Sequence, residues 1–452
     1  MSKILYYNFD MRGCFVLLLS LFFLMSQAYA FEVVYPSEKK IVTSNDYAFI
    51  YGKANSAESL SINDKSIYTA SNGAFAHTVK LHEGENRVAL RTLYGLTIYK
   101  YYKTIPVTQE IPIEEFSPVK AYVNHDNVPL RTTPVDAGLN RISHLFGGTH
   151  IVINGSKGSF YRVYLAKDKT AWIAKKDVTL TDEGFYPAEF INMDSERFKN
   201  AMIQTISFSK KLPYTIEDGE KEIIFRVYNP ELSEESVYNL NIPKPEKYAY
   251  TVTLEEGKYT FKVRKLTENI KEATVVIDAG HGGSEKGAIG CLGDEEKDIN
   301  LKIALQTAEF LRKHNINTVL TRECDANVSL DDRVNFSKEN GADVFVSIHL
   351  NSIGDVPMDI HKTRGTSVYY YNENSKKFAE VMQKEITRIA GTRDSGIKTG
   401  SFAVIRPTEY AAVLVETAYM TNPQDSMLYR NDKWIKKAAK GIAEGIVDYI
   451  KK

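Results

Sequence analysis

The stretch that decides the fold is Val275-Val-Ile-Asp-Ala-Gly-His281-Gly-Gly283. An apolar run followed at once by glycines predicts a buried β-strand that ends in a sharp turn, because glycine adopts backbone angles that other residues avoid. In open α/β sheets, ligands bind outside the carboxyl ends of the strands. We therefore expect the turn to present the imidazole of His281 at the functional edge of a sheet.

The sequence after this stretch alternates between apolar strands and amphipathic helices. Continuous apolar runs at residues 344–348 and 412–415 predict two more strands that are buried on both faces. Helices are predicted over residues 297–312 and 434–450. Their predicted buried faces are Leu301, Ala304, Leu305, Ala308 and Leu311, then Ile435, Ala438, Ala439, Ile442, Ile446 and Ile450. Residues 273–452 are thus predicted to form one α/β domain with a mostly parallel, twisted sheet.

Four side chains near these strand ends are suited to bind a metal ion or to work beside one. His281 and His349 follow apolar strands, Glu416 ends a third strand, and Glu296 lies at the start of the first long helix. Two neutral imidazoles and one carboxylate leave a zinc ion with an open coordination position, as in hydrolytic zinc sites. Zinc lowers the pKa of bound water to about 7. A second carboxylate near that water can act as the general acid and base.

Each of these residues also has a purely structural interpretation. Glu296 could complement the helix dipole, His349 could be a hydrogen-bonded core residue, and His281 could be a donor in a loop. Glu416 is harder to explain in this way, because a carboxylate on a buried apolar strand is costly without a partner. Taken together, the four residues favour a metal site. The other histidines, among them His144, are interpreted as surface or structural residues.

A series of short motifs runs through the domain. They are Ile277-Asp-Ala-Gly-His-Gly-Gly283, Glu296-Lys-Asp-Ile-Asn-Leu301, Thr321-Arg322, Leu330-Asp-Asp-Arg333, Ser347-Ile-His-Leu-Asn351, and Val415-Glu416 followed by Asn422-Pro423. In order and spacing they closely resemble the zinc-dependent N-acetylmuramoyl-L-alanine amidases of the amidase-3 family. The family commonly has a small residue and an aromatic after the catalytic glutamate. Here Thr417-Ala418-Tyr419 keeps that character with different letters.

The resemblance implies a substrate, a cofactor and a set of residue roles. His281, Glu296 and His349 match the family's Zn²⁺ ligands, Glu416 matches its catalytic glutamate, and Asn351 is expected to support a ligand from the second shell. The bond cut would join N-acetylmuramic acid to L-alanine of the peptidoglycan stem peptide. Zinc-activated water would attack this amide, with Glu416 as general acid and base. These properties are those of an autolysin.

Two other classes of function compete with this interpretation. A non-catalytic peptidoglycan-binding protein with a degenerate amidase domain is one, although the complete set of four site residues argues against it. Another wall metallohydrolase, such as a polysaccharide deacetylase or a metallopeptidase, is the other. The sequence has no His-x-His and no pair of histidines four residues apart, so the signatures of those zinc enzymes are missing.

The N-terminus has the features of an export signal. An apolar run over residues 15–25 follows Lys3 and Arg12 and is followed by Ala28-Tyr-Ala30. The run is too short for a comfortable membrane span, and small-x-small is typical of a signal peptidase site. We predict that residues 1–30 are a signal peptide cleaved after Ala30. The mature chain would reach the cell envelope, periplasm or wall, without a stable membrane anchor.

The region between the signal and the α/β domain is predicted to consist of β-rich modules. Residues 31–104 resemble an immunoglobulin-like β-sandwich, and the proline-punctuated residues 105–118 are predicted to be a linker. Residues 119–180 resemble a bacterial SH3-like barrel, a module often found as a wall-binding accessory. Residues 185–268 are predicted to be a further β-rich accessory domain. The predicted fold class is therefore multidomain.

The overall composition narrows the range of partners. A chain of 452 residues predicts several domains, and 43% hydrophobic with 25% charged residues is ordinary for globular proteins. Lys plus Arg and Asp plus Glu both total 57, which argues against a nucleic-acid or anionic-membrane partner. The predicted partner is peptidoglycan. The oligomeric state, the envelope type and the redox state of Cys291 and Cys324 stay open.

Overall fold

A computed structural model describes most of the chain. The described residues are 31–55, 59–93, 95–105, 111–184, 186–233, 235–353 and 362–451. The predicted signal peptide and residues 106–110 of the predicted linker lie outside them, so cleavage after Ala30 stays a prediction. Within the described ranges, no helix combines the length and the apolar character that crossing a membrane requires.

The first segment of the described chain consists of short strands in two sheets. The strands are β1 (Glu32–Tyr35), β2 (Lys40–Thr43), β3 (Tyr47–Lys53), β4 (Ser61–Ile62), β5 (Lys65–Ser66), β6 (Ala74–Lys80), β7 (Gly84–Arg91) and β8 (Leu96–Lys103). One sheet has the order β1-β3-β6 and the other β2-β8-β7-β4-β5. Ile50, Phe75 and Val88 are buried in one apolar cluster that both sheets share. The two sheets therefore pack against each other.

The middle segment is also built of strands, in three sheets. They are β9 (Glu114–Val123), β10 (Val128–Arg131), β11 (Arg141–Leu145), β12 (His150–Lys157), β13 (Phe160–Ala166), β14 (Lys169–Ala174), β15 (Val178–Thr181), β16 (Phe190–Arg197), β17 (Ala201–Phe208), β18 (Tyr214–Asp218), β19 (Glu222–Tyr228), β20 (Val237–Pro243), β21 (Tyr248–Glu255) and β22 (Lys258–Lys265). The sheet orders are β11-β10-β14-β13-β12-β9-β15, β16-β17-β22-β21 and β18-β19-β20.

One hydrophobic core joins the three sheets of this middle segment. Ile153 and Ile173 from the seven-stranded sheet, Phe225 from the three-stranded sheet and Phe261 from the four-stranded sheet belong to a single cluster of buried side chains. The two stretches predicted as separate modules therefore bury apolar surface against each other. Their assignment as an SH3-like barrel and an accessory domain stays a prediction.

The linker predicted over residues 105–118 is wrong at its C-terminal end. Strand β9 begins at Glu114, and Glu114 and Glu115 pair with Ser156 and Gly155 of β12. Pro118 falls where the register between the two strands shifts. A proline is tolerated at such a bulge, because the ladder hydrogen bond that it cannot donate is already interrupted there.

The C-terminal segment is an α/β domain. Its strands are β23 (Thr274–Ala279), β24 (Asn317–Leu320), β25 (Val344–Asn351), β26 (Thr366–Tyr370), β27 (Asp394–Thr399) and β28 (Ala411–Tyr419). Its helices are α1 (Glu296–Lys313), α2 (Leu330–Glu339), α3 (Glu373–Ala390), α4 (Pro423–Tyr429) and α5 (Asp432–Lys451). The sheet order is β24-β23-β25-β28-β26-β27. The β26–β28 pair is antiparallel, and the other pairs in this sheet are parallel.

The buried face of α1 differs from the predicted one. Leu305 is 38% exposed, whereas Ile299 and Ile303 are buried against the sheet. Leu305 is two positions from Ile303 and so points about 200° away from it on a helix of 3.6 residues per turn. The spacing predicted Leu305 as part of the buried face. Ala304, Ala308 and Leu311 of that face are buried, which confirms that part of the prediction, but Leu305 lies beyond the edge of the packed stripe. In α5, by contrast, every residue of the predicted face is buried, which confirms that prediction.

The third strand is longer than predicted. Residues 412–415 were expected to form it, with Glu416 at its end, but β28 continues to Tyr419. Glu416 pairs with Ser367 of β26, and Tyr419 pairs with Asn351 of β25. Glu416 therefore lies inside a strand that has neighbours on both sides.

Both β-rich segments contact the α/β domain. The guanidinium of Arg264 in β22 donates hydrogen bonds to Asp343 Oδ1 at 2.9 Å and to the carbonyl of Glu409 at 3.0 Å. In the first segment, Asn72 Nδ2 donates to Ser426 Oγ at 2.9 Å. These contacts hold the β-rich segments beside the α/β domain.

Helices α3 and α5 approach each other closely at Gly441. A Cβ atom on Gly441 would lie 2.8 Å from the Cα atom of Ile386 in α3. Because the obstacle is backbone, it cannot move aside as the end of a side chain can. The contact between the two helices thus requires glycine at this position.

We predict that Gly441→Ala lowers the free energy of unfolding by about 1–3 kcal/mol through overpacking. A decrease in the free energy of unfolding would be informative, because replacing glycine by alanine in a helix interior normally increases stability by about 1 kcal/mol. The free energy of unfolding is measured by urea denaturation of Trp172→Phe proteins, in which the fluorescence of Trp434 reports unfolding. Lys440→Ala, at an exposed position of the same helix, is the matched control and should stay within about 0.5 kcal/mol. A Gly441→Ala protein as stable as its parent would contradict the prediction.

Candidate metal centre

His281 lies in a turn that directly follows β23. Its φ is +60°, and the next residues, Gly282 and Gly283, also have positive φ values of 136° and 58°. Such a conformation is uncommon for a residue with a side chain and must be held by its surroundings. The glycines predicted this turn, and the structure places the imidazole beside the carboxyl end of β23.

Two arginines hold the backbone carbonyls of this turn. Arg333 Nη2 donates to the carbonyl of His281 at 2.8 Å, and Arg322 Nη2 donates to the carbonyl of Gly280 at 3.0 Å. Arg322 also donates to the carbonyl of Lys297 at 2.8 Å, which links the turn to the first turn of α1. The arginines thereby fix the position of His281 relative to Glu296.

A buried carboxylate neutralises one of these arginines. Asp278 Oδ1 pairs with Arg333 Nη1 at 2.5 Å and accepts a hydrogen bond from Thr321 Oγ1 at 2.6 Å. Its other oxygen accepts from Ser347 Oγ at 2.6 Å. The motifs quoted above contain all four residues, but the sequence analysis gave them no role. The signal was an acidic residue inside an apolar strand, which needs partners.

Glu296 is the first residue of α1, and its carboxylate is fully engaged. Oε2 accepts a hydrogen bond from the backbone N–H of Ala288 at 2.8 Å. Oε1 accepts from the N–H of Leu350 at 3.1 Å and from Asn300 Nδ2 at 3.1 Å. Donors from three parts of the chain therefore hold this carboxylate in one orientation.

The two imidazoles meet the same carboxylate from different sides. His281 Nε2 lies 3.2 Å from Glu296 Oε2, and His349 Nδ1 lies 2.9 Å from Glu296 Oε1. One potential ligand atom from each residue lies within 4.8 Å of the others. Burial by itself raises the pKa of the Glu296 carboxyl, but the hydrogen bonds with both histidines outweigh it and hold that pKa below the ordinary value. The carboxylate is therefore ionised.

Two glycines make room for these side chains. A Cβ atom on Gly280 would lie 2.2 Å from His349 Nε2. A Cβ atom on Gly287 would lie 2.5 Å from Glu296 Oε2 and 2.6 Å from His281 Cδ2. Any side chain at either position would displace a candidate ligand. The predicted role of the glycines as turn formers was therefore incomplete.

Glu416 lies beside this group of three. It is the register partner of His349 across β25 and β28, and it is 9% exposed. Its Oε2 atom is buried and forms no hydrogen bond to any described residue. Burial, and secondarily the negative charge of Glu296, raise the pKa of Glu416 well above the ordinary value, while Lys398 opposes the shift. This carboxyl therefore retains a proton where exposed carboxyls have lost theirs.

The four predicted site residues line one cavity of about 570 Å³. Asn351 also lines it, and its backbone carbonyl accepts a hydrogen bond from Met420 N–H at 2.7 Å. The side chains of Leu330 and Phe402 add apolar surface to the wall. Phe402 packs edge-on against Tyr369 at 5.3 Å between ring centroids. The cavity thus joins a polar centre to an apolar rim.

The donor set fits a hydrolytic zinc site. Two imidazole nitrogens and one carboxylate oxygen are three protein ligands of the kind that leaves one coordination position for water or substrate. Calcium and magnesium favour shells of oxygen ligands, which this group does not offer. Glu416, whose buried Oε2 atom has no hydrogen-bond partner among the described residues, lines the same cavity. The residues that are present therefore suit zinc chemistry.

Known proteins are similar to the C-terminal domain of this chain. Residues 275–448 match the family described as N-acetylmuramoyl-L-alanine amidase, Amidase_3. Over 189 residues the chain is 37% identical to the uncharacterized protein YqiI of Bacillus subtilis (strain 168), covering 41% of this chain and 88% of YqiI. It is 38% identical over 189 residues to N-acetylmuramoyl-L-alanine amidase LytC of the same organism, covering 37% of LytC.

A search of solved structures also finds a similar protein. The catalytic domain of CwlV, an N-acetylmuramoyl-L-alanine amidase from Bacillus (Paenibacillus) polymyxa var. colistinus, is 39% identical. The match covers 39% of this chain and 97% of that domain, with a TM-score of 0.37. Because the family match spans residues 275–448 and the sequence similarity extends over most of YqiI, the chain belongs to the amidase-3 family.

Proposed function

We propose that this protein is a peptidoglycan hydrolase that cleaves the amide bond between N-acetylmuramic acid and L-alanine of the stem peptide. The observation that carries the proposal is the convergence of His281, Glu296 and His349 in one cavity beside the buried, unpaired carboxyl of Glu416. Membership of the amidase-3 family supports the choice of bond. Named relatives such as LytC support the class of substrate.

The cofactor that we propose is Zn²⁺, held by His281, Glu296 and His349. A bound zinc ion polarises the scissile carbonyl and lowers the pKa of a water molecule. The protein's own contribution is to hold the ligands rigidly. Arg322 and Arg333 fix the turn of His281, and the N–H groups of Ala288 and Leu350 fix the carboxylate of Glu296. Asn351 is proposed to support the site from the cavity wall.

Glu416 is proposed to move the proton. Its side chain lines the cavity, and its buried Oε2 atom has no hydrogen-bond partner among the described residues, so no protein group holds that oxygen in the charged form. The raised pKa of this carboxyl brings its proton affinity closer to that of a group working near neutral pH. In its ionised form the Glu416 carboxylate would take a proton from the attacking water, and it would then deliver that proton to the amine nitrogen of the departing L-alanine.

The second candidate is a non-catalytic peptidoglycan-binding protein with a degenerate amidase domain. Degeneration would be expected to remove a ligand or to open the cavity wall. Instead, the three candidate ligands are held by hydrogen bonds, and glycines leave space for them. We therefore favour the enzyme.

The place of action follows from the substrate. Peptidoglycan lies outside the cytoplasmic membrane, and one relative is named probable cell wall amidase LytH, from Staphylococcus saprophyticus. We propose export through the signal peptide at residues 1–30, with cleavage after Ala30. The β-rich modules over residues 31–104, 119–180 and 185–268 are proposed to be accessories that hold the enzyme on the wall.

Digestion of purified peptidoglycan tests the proposed reaction. Mass analysis should show free stem peptides with an L-alanine amino terminus, together with glycan strands that retain intact N-acetylmuramic acid. Chelation should stop the release, and added zinc should restore it. Products cut within the glycan or within the peptide would contradict the proposal.

We predict that Glu416→Gln lowers the rate of stem-peptide release by about 10²–10⁴-fold, the usual contribution of a general acid or base. The substitution keeps the shape of the side chain, so zinc content and thermal unfolding should match those of the wild type. Glu373→Gln, which removes an exposed carboxylate at the start of α3, is the matched control and should retain full activity. A Glu416→Gln enzyme with near-normal turnover would remove this residue from the mechanism.

We predict that Glu296→Gln weakens zinc affinity by more than about 100-fold. Loss of a residue that only hydrogen-bonds to a metal ligand typically weakens affinity by about 10–100-fold. The charge lost is one that the metal would neutralise. Competition with a chromogenic chelator, together with metal analysis, measures the affinity without reference to activity. Glu309→Gln on the exposed face of the same helix should bind zinc like the wild type. Equal affinities in the two variants would exclude Glu296 as a ligand.

A further inference from the structure

Three arginine side chains meet where the seven-stranded sheet contacts the α/β domain. Arg131 and Arg141 are register partners on the adjacent strands β10 and β11. Arg406 comes from the loop that precedes β28, and the pKa of its guanidinium is lowered first by burial and then by the positive charges of Arg141 and Arg131. The cluster therefore combines two strands of the β-rich segment with a loop of the α/β domain.

This basic cluster lies next to the candidate cavity. Arg406 Nε donates to Ser401 Oγ, and Nη2 donates to the Ser401 carbonyl, both at 3.0 Å. A Cβ atom on Gly138, in the β10–β11 loop, would lie 2.5 Å from the Cβ of Ser401, so the two loops are in close contact. Phe402, the residue after Ser401, lines the cavity. Through Ser401, the arginine cluster therefore adjoins the wall of the cavity.

The positive charge of the cluster is not balanced within the described part of the chain. Arg131 pairs with Asp136 at 2.5 Å and donates to the carbonyl of Ala137. Arg141 and Arg406 form no ion pair with any described carboxylate. The Nε atom of Arg141 is buried, yet no described residue accepts a hydrogen bond from it. A buried cationic donor without an acceptor is costly unless another molecule provides one.

The pKa of His144, which lies beside the arginine cluster, also reflects the positive charge there. Burial lowers the pKa of His144 to about 4, and the charges of Arg141, Arg406 and Arg131 act in the same direction. His144 is therefore neutral near pH 7 and adds no charge of its own. The surroundings nevertheless favour an anion, because the three guanidinium groups outnumber the two carboxylates, Asp136 and Asp177, that act on Arg131.

We propose that Arg141 and Arg406 form a binding site for an oxyanion of the peptidoglycan strand whose amide bond lies in the cavity. The proposal rests on the proposed function and adds a determinant of substrate selection to it. Guanidinium groups bind carboxylates and phosphates through paired hydrogen bonds. The nearest such group on the substrate is a free carboxylate of the stem peptide, within a few bonds of the scissile amide. Phosphate of an anionic wall polymer offers the same chemistry from a second source.

Muropeptides of defined structure test the site. The stem-peptide carboxylates are either free or converted to amides, and neither form contains phosphate. For the wild type, amidation is expected to raise KM roughly tenfold, the effect of losing one hydrogen-bonded charge, with kcat changed less than about twofold. Arg141→Gln should raise KM by a similar factor on the free carboxylate and leave KM on the amide unchanged. Arg141→Lys should restore part of the loss.

The matched control is Arg87→Gln, which removes an exposed arginine from β7 in the first segment. It makes the same change in net charge and should leave KM unchanged on both substrates. If Arg141→Gln does not fold, as judged by thermal unfolding, Arg406→Gln takes its place in the same comparison of free and amidated substrates.

Purified walls, with and without their phosphate polymers, distinguish the two sources. A loss on Arg141→Gln that appears only with polymer-bearing walls identifies phosphate as the ligand and supports an oxyanion site. Unchanged KM for the wild type on amidated muropeptides, together with unchanged activity of Arg141→Gln on both walls, overturns the proposal. A wild type that cleaves none of these substrates refutes the proposed function instead. Direct binding of the free-carboxylate muropeptide to the wild type and to Arg141→Gln then decides the oxyanion site by itself.

Discussion

The structure of the site depends on one buried carboxylate. Glu296 accepts hydrogen bonds from the backbone of Ala288 and Leu350 and also faces both imidazoles, so it connects the turn after β23, the start of α1 and the strand β25. A buried charge is tolerated only when its hydrogen-bonding capacity is filled in this way. Its negative charge has a second effect, because it adds to the effect of burial, which is the main reason that the pKa of Glu416 is raised. The proposed ligand Glu296 thus also influences the residue that is proposed to move the proton.

Rigid support surrounds this centre. The turn that carries His281 has positive φ values, and the carbonyls that it exposes accept hydrogen bonds from Arg322 and Arg333. Arg333 is in turn neutralised by Asp278, which lies on β23 just before that turn. Polar groups that are buried and fully bonded restrict a backbone to one arrangement. The position of the imidazole is therefore set by the interior of the domain, and a substrate does not need to organise it.

Sequence patterns were sufficient for the elements whose signal is local. Apolar strands followed by His281 and His349, and a carboxylate at a helix start, predicted side chains that the structure brings within reach of one another. Long-range features were beyond such patterns. The exposure of Leu305 depends on which stripe of α1 meets the sheet, and the position of Glu416 inside β28 depends on pairing with β26. The roles of Arg322 and Arg333 were not predicted, because a hydrogen bond to a carbonyl that is distant in sequence produces no periodic pattern of residues.

The single core of the middle segment has a consequence for the modularity of the protein. Ile153 and Ile173 from its first half share buried surface with Phe225 and Phe261 from its second half. If either half were removed, the other would expose apolar surface to water. The free-energy cost would be roughly 25 cal/mol for each Å² of apolar surface exposed. Each half is therefore expected to lose stability when the other half is deleted. The division that the sequence suggests between residues 180 and 185 does not separate two hydrophobic cores.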